Sequence, residues 1–275
     1  MSILPLIVKI VRTLRIAGVG LVNAIGQVQG SLQHGFNKSS NSSNSIYNGE
    51  ILGSKSNESD WIDLDKETLD QFTERYFSPC NCAPYASNFA NKEQLNYAAG
   101  YVLENTWHQF MSKSPTYIPN DLNLNILGVE PDGFGSGVAI NSLKNVRLEA
   151  LTNWYEVKAS GKSSLPVSYA QIRQELNAMR QVYSGLKGIG YTINYTLVTT
   201  SNVLLSETRS SIINTAKNYG IQFSHITPKY QIRNGEVYVK FVAKHLPSGA
   251  ESILDFYKPV KLQSHNKNLK CPCEK

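Results

Sequence analysis

A chain of 275 residues with a formal net charge of +6 has length for one sizeable domain plus tails, or for two small domains. Hydrophobic residues make up 41% and charged residues 17%, the balance of a packed globular protein, which excludes a wholly disordered chain. The sign of the charge suits a polyanion such as nucleic acid, and it equally suits a soluble basic protein with no such partner.

Residues 1–36 are apolar but interrupted by Lys9, Arg12 and Arg15. The uncharged run from Ile16 is Gly-rich and broken by polar residues, so it is not the roughly 18-residue apolar stretch of a membrane-spanning helix, and it lacks a convincing secretory cleavage site. This segment is expected to pack as a helix on the domain or a partner, or to lie on a membrane or assist delivery. Residues 37–60 are dominated by Ser and Asn and read as a flexible linker. The domain is expected over 61–265, followed by a tail over 266–275. The four cysteines fall as Cys80-Asn-Cys82 and Cys271-Pro-Cys273. Paired zinc ligands usually have two residues between them, so a zinc site is disfavoured, and a tail-to-domain disulfide or plain thiols stay open.

Within the domain, the pattern predicts helices over 65–76 and 91–112. In the second, Leu95, Ala99, Val102, Thr106 and Phe110 recur at helical spacing and Asn91 is the N-cap. Strands are expected over 122–129, 137–140 and 153–159. A helix follows Pro166, with Ile172, Leu176, Met179 and Tyr183 as its apolar stripe. Then come a strand over 191–200 and a helix over 206–219, with Ser206 as cap and Gly220 as terminator. A short strand over 221–226 and a hairpin over 230–244 around Asn234-Gly235 complete the series. This order predicts an α/β fold, a mixed central sheet flanked by helices.

Two stretches carry chemistry, Val129-Glu-Pro-Asp-Gly-Phe-Gly135 and Asn153-Trp-Tyr-Glu-Val-Lys-Ala-Ser160. The two-residue period of a strand puts Glu156 and Lys158 on one face and Tyr155 and Val157 on the other. Asp132 and Glu156 offer hard oxygen ligands for Mg2+ (or Mn2+). Such an ion polarises a phosphodiester and lowers the pKa of a bound water, while Lys158 orients that water and offsets transition-state charge. The plainer alternative is a solvated Glu–Lys pair and a turn aspartate. The flanking Trp154, Tyr155 and Val157 argue instead for a central strand, where buried charge needs a purpose.

Pro131-Asp132, the spacing to Glu156 and the Glu156-Val157-Lys158 triplet resemble the PD-(D/E)xK nuclease superfamily over roughly residues 92–227. The resemblance implies a restriction-endonuclease-like fold and metal-dependent hydrolysis of nucleic acid, DNA ahead of RNA, with low sequence specificity. Asp132, Glu156 and Lys158 would be catalytic. Asp132, Glu156, the Val157 main-chain carbonyl and Glu104 would be the metal ligands. Gln171 or Gln174 would line the site. The alternative on the same fold is a catalytically inactive nucleic-acid-binding or protein-interaction module.

Arg173, Arg180 and Lys187 recur every seven residues and either track a phosphate backbone or form a solvated face, and Lys144 and Arg147 share that ambiguity. His108, one turn after Glu104, lines the cleft or is an ordinary histidine. Gly161-Lys162-Ser163 is no phosphate loop, because Glu156 occupies the position of its first glycine. The apolar leader and linker resemble the layout of bacterial toxins that carry a nuclease. That layout implies an immunity protein as partner and action in the cytoplasm of a producing or target cell, or after secretion.

Overall fold

The structure, a computed structural model, describes residues 60–77, 89, 91–144, 146–160, 166–186 and 192–263. Every described residue belongs to one compact unit within Lys55–Lys275. The apolar leader, most of the linker, the four cysteines, the Gly161-Lys162-Ser163 loop, Lys187 and the tail lie outside the described residues.

In chain order the elements are β1 (Ile62–Asp63), α1 (Lys66–Phe77), α2 (Lys92–Met111), β2 (Tyr117–Pro119), β3 (Gly133–Gly135) and β4 (Asn153–Lys158). There follow α3 (Tyr169–Tyr183), β5 (Asn194–Thr199), α4 (Ser206–Tyr219), β6 (Gln222–Arg233), β7 (Glu236–His245) and β8 (Val260–Lys261). One sheet runs β2-β3-β4-β5-β6-β7-β8, with β1 also paired to β6. The pairs β4–β5 and β5–β6 are parallel and the rest antiparallel. The predicted mixed sheet between helices is what forms. On one face, Trp154, Tyr195, Leu197 and Phe223 pack with Ile172, Leu176 and Met179 of α3 and Ile212 and Ala216 of α4. On the other, Val157, Val198, Ile226, Val239 and Phe241 pack with Leu69 of α1 and Val102, Leu103, Trp107 and Phe110 of α2. Each such fully buried side chain contributes on the order of 1.5–3 kcal/mol, so the layers hold the strand ends firmly.

Local signals explain most boundaries. The Asn91 side chain accepts from the Gln94 backbone N–H at 2.9 Å, the expected N-cap. Gly220 ends α4 in the left-handed region at φ 72°. The cap at the start of α4 is Leu205, however, and Ser206 is already helical.

The meander differs from expectation. Residues 122–129 form a turn-rich loop with a single bridge, Ile126 to Val129, and no strand. Asn123 (φ 50°), Leu127 (φ 55°) and Gly128 (φ 88°) are left-handed, which no ladder accommodates. The Asn120 amide organises that loop, donating to the Pro131 carbonyl at 2.8 Å while its oxygen accepts from the Leu124 N–H at 2.8 Å. The strands are instead Tyr117–Pro119 and Gly133–Gly135, ahead of the expected 137–140. A glycine-bearing strand reads as a turn, but here the glycines make room. A Cβ on Gly133 would meet the Tyr117 hydroxyl at 2.7 Å, and one on Gly135 would meet the Tyr155 ring at 3.1 Å. The two tyrosine rings pack edge to face at 5.0 Å across the same strand.

β6 is a single strand of 12 residues, not a short strand that stops at 226 before a separate hairpin. Pro228 is tolerated within it because the β5 partner ends at Ile226 and the β1 partner begins at Lys229. Among the described residues, no helix is long and apolar enough to cross a membrane.

Candidate active site

The candidate residues meet where β4 runs out of its neighbour. β3 pairs with β4 only as far as Gly133 opposite Tyr155. Just beyond, the Asp132 N–H donates to the Tyr155 carbonyl at 3.0 Å, and its carboxylate accepts from the Val157 N–H at 2.6 Å. Asp132 thus caps the open edge of β4 with a side chain in place of a strand. The Asp132 carbonyl in turn accepts from the Asn120 N–H at 3.0 Å, so the irregular loop fixes its position. Within a strand a residue's N–H and C=O point to the same side. The Val157 carbonyl therefore faces the same edge as the carboxylate.

Glu156 and Lys158 lie on the face opposite Tyr155 and Val157 and form an ion pair with each other. Glu156 is 3% exposed, and its Oε2 is buried with no hydrogen-bond partner. An unpaired buried carboxylate oxygen is strongly unfavourable, so this atom calls for a proton shared with the neighbouring Glu175 carboxyl or for a bound cation in its place.

A third carboxylate joins them. Glu175 of α3 is buried and accepts a hydrogen bond from the Tyr195 hydroxyl of β5. Gln174 and Arg173 are exposed and Gln171 is half-buried. The α3 residue brought to the carboxylates is thus Glu175. Its signal was in the sequence: it sits three residues after Ile172 and one before Leu176, a charge on the helix's apolar stripe.

Glu104 approaches Asp132 from α2. Its carboxylate contacts His108 Nε2 at 3.2 Å, and His108 Nδ1 meets the Tyr117 hydroxyl. Both Glu104 and His108 act electrostatically on Asp132. Arg180 is exposed with its guanidinium over the Tyr219 ring at 4.8 Å, and Lys144 and Arg147 are exposed.

The electrostatics follow from burying three carboxylates around one ammonium. Burial, only partly offset by Lys158, raises Asp132 to about 6. Burial raises Glu175 to about 7, against the pull of Lys158 and the Tyr195 hydroxyl. Burial, with Asp132 and Glu175 adding repulsion, lifts Glu156 well above the carboxylate range. Burial works against the Lys158 ammonium, but Glu156, Asp132 and Glu175 outweigh it and hold its pKa above the ordinary value. The group carries more acid than it can ionise on its own, and it retains protons near neutrality.

The oxygens that could hold a cation are those of Asp132 and Glu156 with the Val157 carbonyl, and Glu104 and Glu175 flank them. Among the described residues, no three His, Cys, Asp or Glu side chains are gathered into a ready-made metal cage. No protein-family model, curated protein or solved structure matches the chain.

Proposed function

We propose that residues 61–263 form a divalent-metal-dependent phosphodiesterase acting on nucleic acid, DNA ahead of RNA, on a restriction-endonuclease-like core. One observation carries the reading: Asp132 and Glu156 converge at the open edge of β4 beside Lys158, with one Glu156 oxygen buried and unpartnered. The succession α2, β2, β3, β4, α3, β5 supports it, because a helix, three strands, a helix and a strand is the order that the PD-(D/E)xK resemblance implies.

The donor set fits a hard cation. It is all oxygen, it carries surplus negative charge, and its orphaned carboxylate oxygen needs a partner. A bound Mg2+ or Mn2+ would polarise the phosphodiester and stabilise charge on it. The remaining roles belong to the chain. Asp132 is oriented by the Val157 N–H, which leaves its other oxygen for a ligand. Lys158 is held as an ammonium by the three acids. It therefore serves as a hydrogen-bond donor to an attacking water and as a counter-charge to the phosphate. Val157 and Trp107 pack in the core on the opposite face, with Tyr155 against them.

A second reading is an inactive nucleic-acid-binding or interaction module, favoured by the Lys158–Glu156 ion pair already closing the site. One experiment separates the two. Plasmid, linear DNA and RNA are incubated with the full chain in Mg2+, in Mn2+ and in chelator, beside the Glu156→Gln variant. A nuclease cleaves in metal only, and the variant falls by at least about a hundredfold, the scale of one lost electrostatic group. Metal-independent or equal cleavage by both proteins, or none by either, rejects the assignment. Delivery as a bacterial toxin with an immunity partner would rest on residues 1–59. Its test is growth of a bacterial host expressing wild type or Lys158→Ala, and equal growth discards it.

A further inference from the structure

The geometry points to the outer half of the β6–β7 hairpin as a docking surface for the phosphodiester backbone of the nucleic acid, outside the cleavage site. This rests on the proposed nuclease reading and adds the surface that would hold the substrate.

Register supplies the first observation. β6 pairs with β5 only through Ile226, which stands level with Val198 and, one strand further, Val157. The remaining residues, through Arg233, continue past the ends of β4 and β5 by roughly 20 Å at 3.3 Å per residue. Glu156 is level with Leu197 and His225, so alternate β6 positions 225, 227, 229, 231 and 233 share the sheet face of Glu156 and Lys158. The hairpin thus projects from the rim that holds the carboxylates.

Charge is the second. On that face lie Lys229 and Arg233 of β6, Lys240 and Lys244 of β7, and Lys261 of β8. Two carboxylates stand among them. Asp63 contacts Lys229 at 3.9 Å and Lys244 at 3.4 Å, and Glu236 contacts Lys261 at 2.7 Å. Five cations against these two anions and Asp255, which lines one pocket with Trp61 and Lys240, still leave an excess of positive charge along one ribbon.

The third observation sets this strip apart from an ordinary solvated face. Lys229 and Lys240 stand directly opposite each other in the ladder. Like charges at directly opposed positions destabilise a sheet. Asp63 answers the Lys229 side of that pair, while the Lys240 ammonium lies 5.0 Å from the centre of the Trp61 ring. Arg233 is 5.4 Å from the ring centres of both Trp61 and Tyr238. The aromatic rings thus fix the direction of two cations that a polyanion can bridge. A phosphate backbone relieves the repulsion by displacing counterions, and its charge spacing suits a line of cations along a strand.

The test is equilibrium binding of a labelled 30-base-pair duplex and of the matching single strand. The full chain carries Glu156→Gln so that nothing is cut, and salt is varied from 50 to 200 mM. The variant pair Lys229→Gln/Lys240→Gln is compared with Lys217→Gln, whose lysine lies in the last turn of α4, beside the strand starts. The double variant should bind about ten- to a hundredfold more weakly. Its slope of log affinity against log salt should flatten by about two, near one unit per lost phosphate contact. The control should change neither. Relief of the like-charge repulsion offsets the lost Asp63 and Trp61 contacts, so the melting temperature should change little, which separates lost docking from lost folding. A preference between duplex and single strand identifies the form of backbone held. Unchanged affinity and slope in the double variant overturn the inference, as does loss of binding to anionic-lipid vesicles with DNA binding intact. If wild type cuts nothing in metal yet the double variant loses DNA binding, the nuclease reading falls and the docking surface stands. If wild type cuts and the double variant binds as the control does, the surface alone falls.

Discussion

Glu175 gives the most exacting test of the electrostatics. The perturbation is Glu175→Gln, which keeps the side-chain volume and an oxygen to accept from the Tyr195 hydroxyl. In the folded chain burial raises the Glu175 pKa from 4.5 to about 7. At 1.36 kcal/mol per unit this is about 3 kcal/mol. The sign is set by where protons sit. Between about pH 4.5 and 7 the folded state holds a proton that the unfolded chain has released. Stability from this group is therefore complete below pH 4.5 and lost as pH rises through 7. The glutamine variant has no such proton to lose. In chelator at pH 4 the two proteins should melt together. At pH 8 the variant should be more stable by up to about 3 kcal/mol, or roughly 6–12 °C for a domain of this size. Saturating Mg2+ should narrow the gap, because a bound cation replaces the proton in wild type. Thermal melts by circular dichroism over that pH range decide the matter. A variant less stable than wild type by the same amount at both pH values would refute the reasoning, since the loss would then come from packing.

Metal binding near pH 6.5 should release at least one proton per ion and fewer as pH rises, because Asp132 and Glu175 titrate at about 6 and about 7 and the ligand Glu156 is raised further. Calorimetry in two buffers of different ionisation enthalpy measures it, and heat independent of buffer at pH 6.5 contradicts it. Gly133→Ala should destabilise by about 1–3 kcal/mol, because its Cβ meets the Tyr117 hydroxyl at 2.7 Å, and it should lower metal affinity by shifting the adjacent Asp132. Melting and metal titration are read together, and an unaffected affinity separates β3 packing from the site. Asn120→Ala should cost about 2–3 kcal/mol by leaving the buried Pro131 carbonyl without its donor. A chemical-denaturation midpoint unchanged from wild type would count against that account.

The parts of the fold that sequence made legible are those whose boundaries have local causes. α2 is announced by the Asn91 cap and α4 is closed by Gly220. β4 and β5 are runs of aromatic and β-branched residues buried on both faces. The meander was illegible because its determinants are distant. Gly133 and Gly135 form a strand only because Tyr117 and Tyr155 occupy the space their side chains would need. The stretch 122–129, with its apolar alternation, is bent by left-handed residues and held by the Asn120 amide. Similarly, Pro228 looks like a stop until β5 is seen to end just before it and β1 to begin just after. At the site, Asp132, Glu156 and Lys158 follow from motif and period. Glu175 is harder to read, because the neighbouring Gln171 and Gln174 offer polar groups on the outer side of α3 while the informative residue is the lone charge on its buried stripe.

The charge state of Lys158 joins the fold to the chemistry. Its ammonium is stabilised by three buried acids that themselves resist ionisation, so protons and cation compete for one pool of negative charge. With the acids protonated, Lys158 loses the anions that hold its pKa up, and with a divalent ion bound the same anions are shared. Each added positive charge thus makes the ammonium easier to deprotonate. Asp132 sets the strength of this exchange, because its hydrogen bond from Val157 favours the ionised form and fixes the carboxylate at the β4 edge. Lengthening it in Asp132→Glu would keep the charge but break the 2.6 Å contact that capping requires. That variant should retain an ion only weakly even at pH 8, where every carboxylate of the group is most readily ionised. Wild-type affinity for Mn2+ in that variant, measured by titration at pH 8, would mean that charge alone holds the ion and that the strand-edge geometry is incidental.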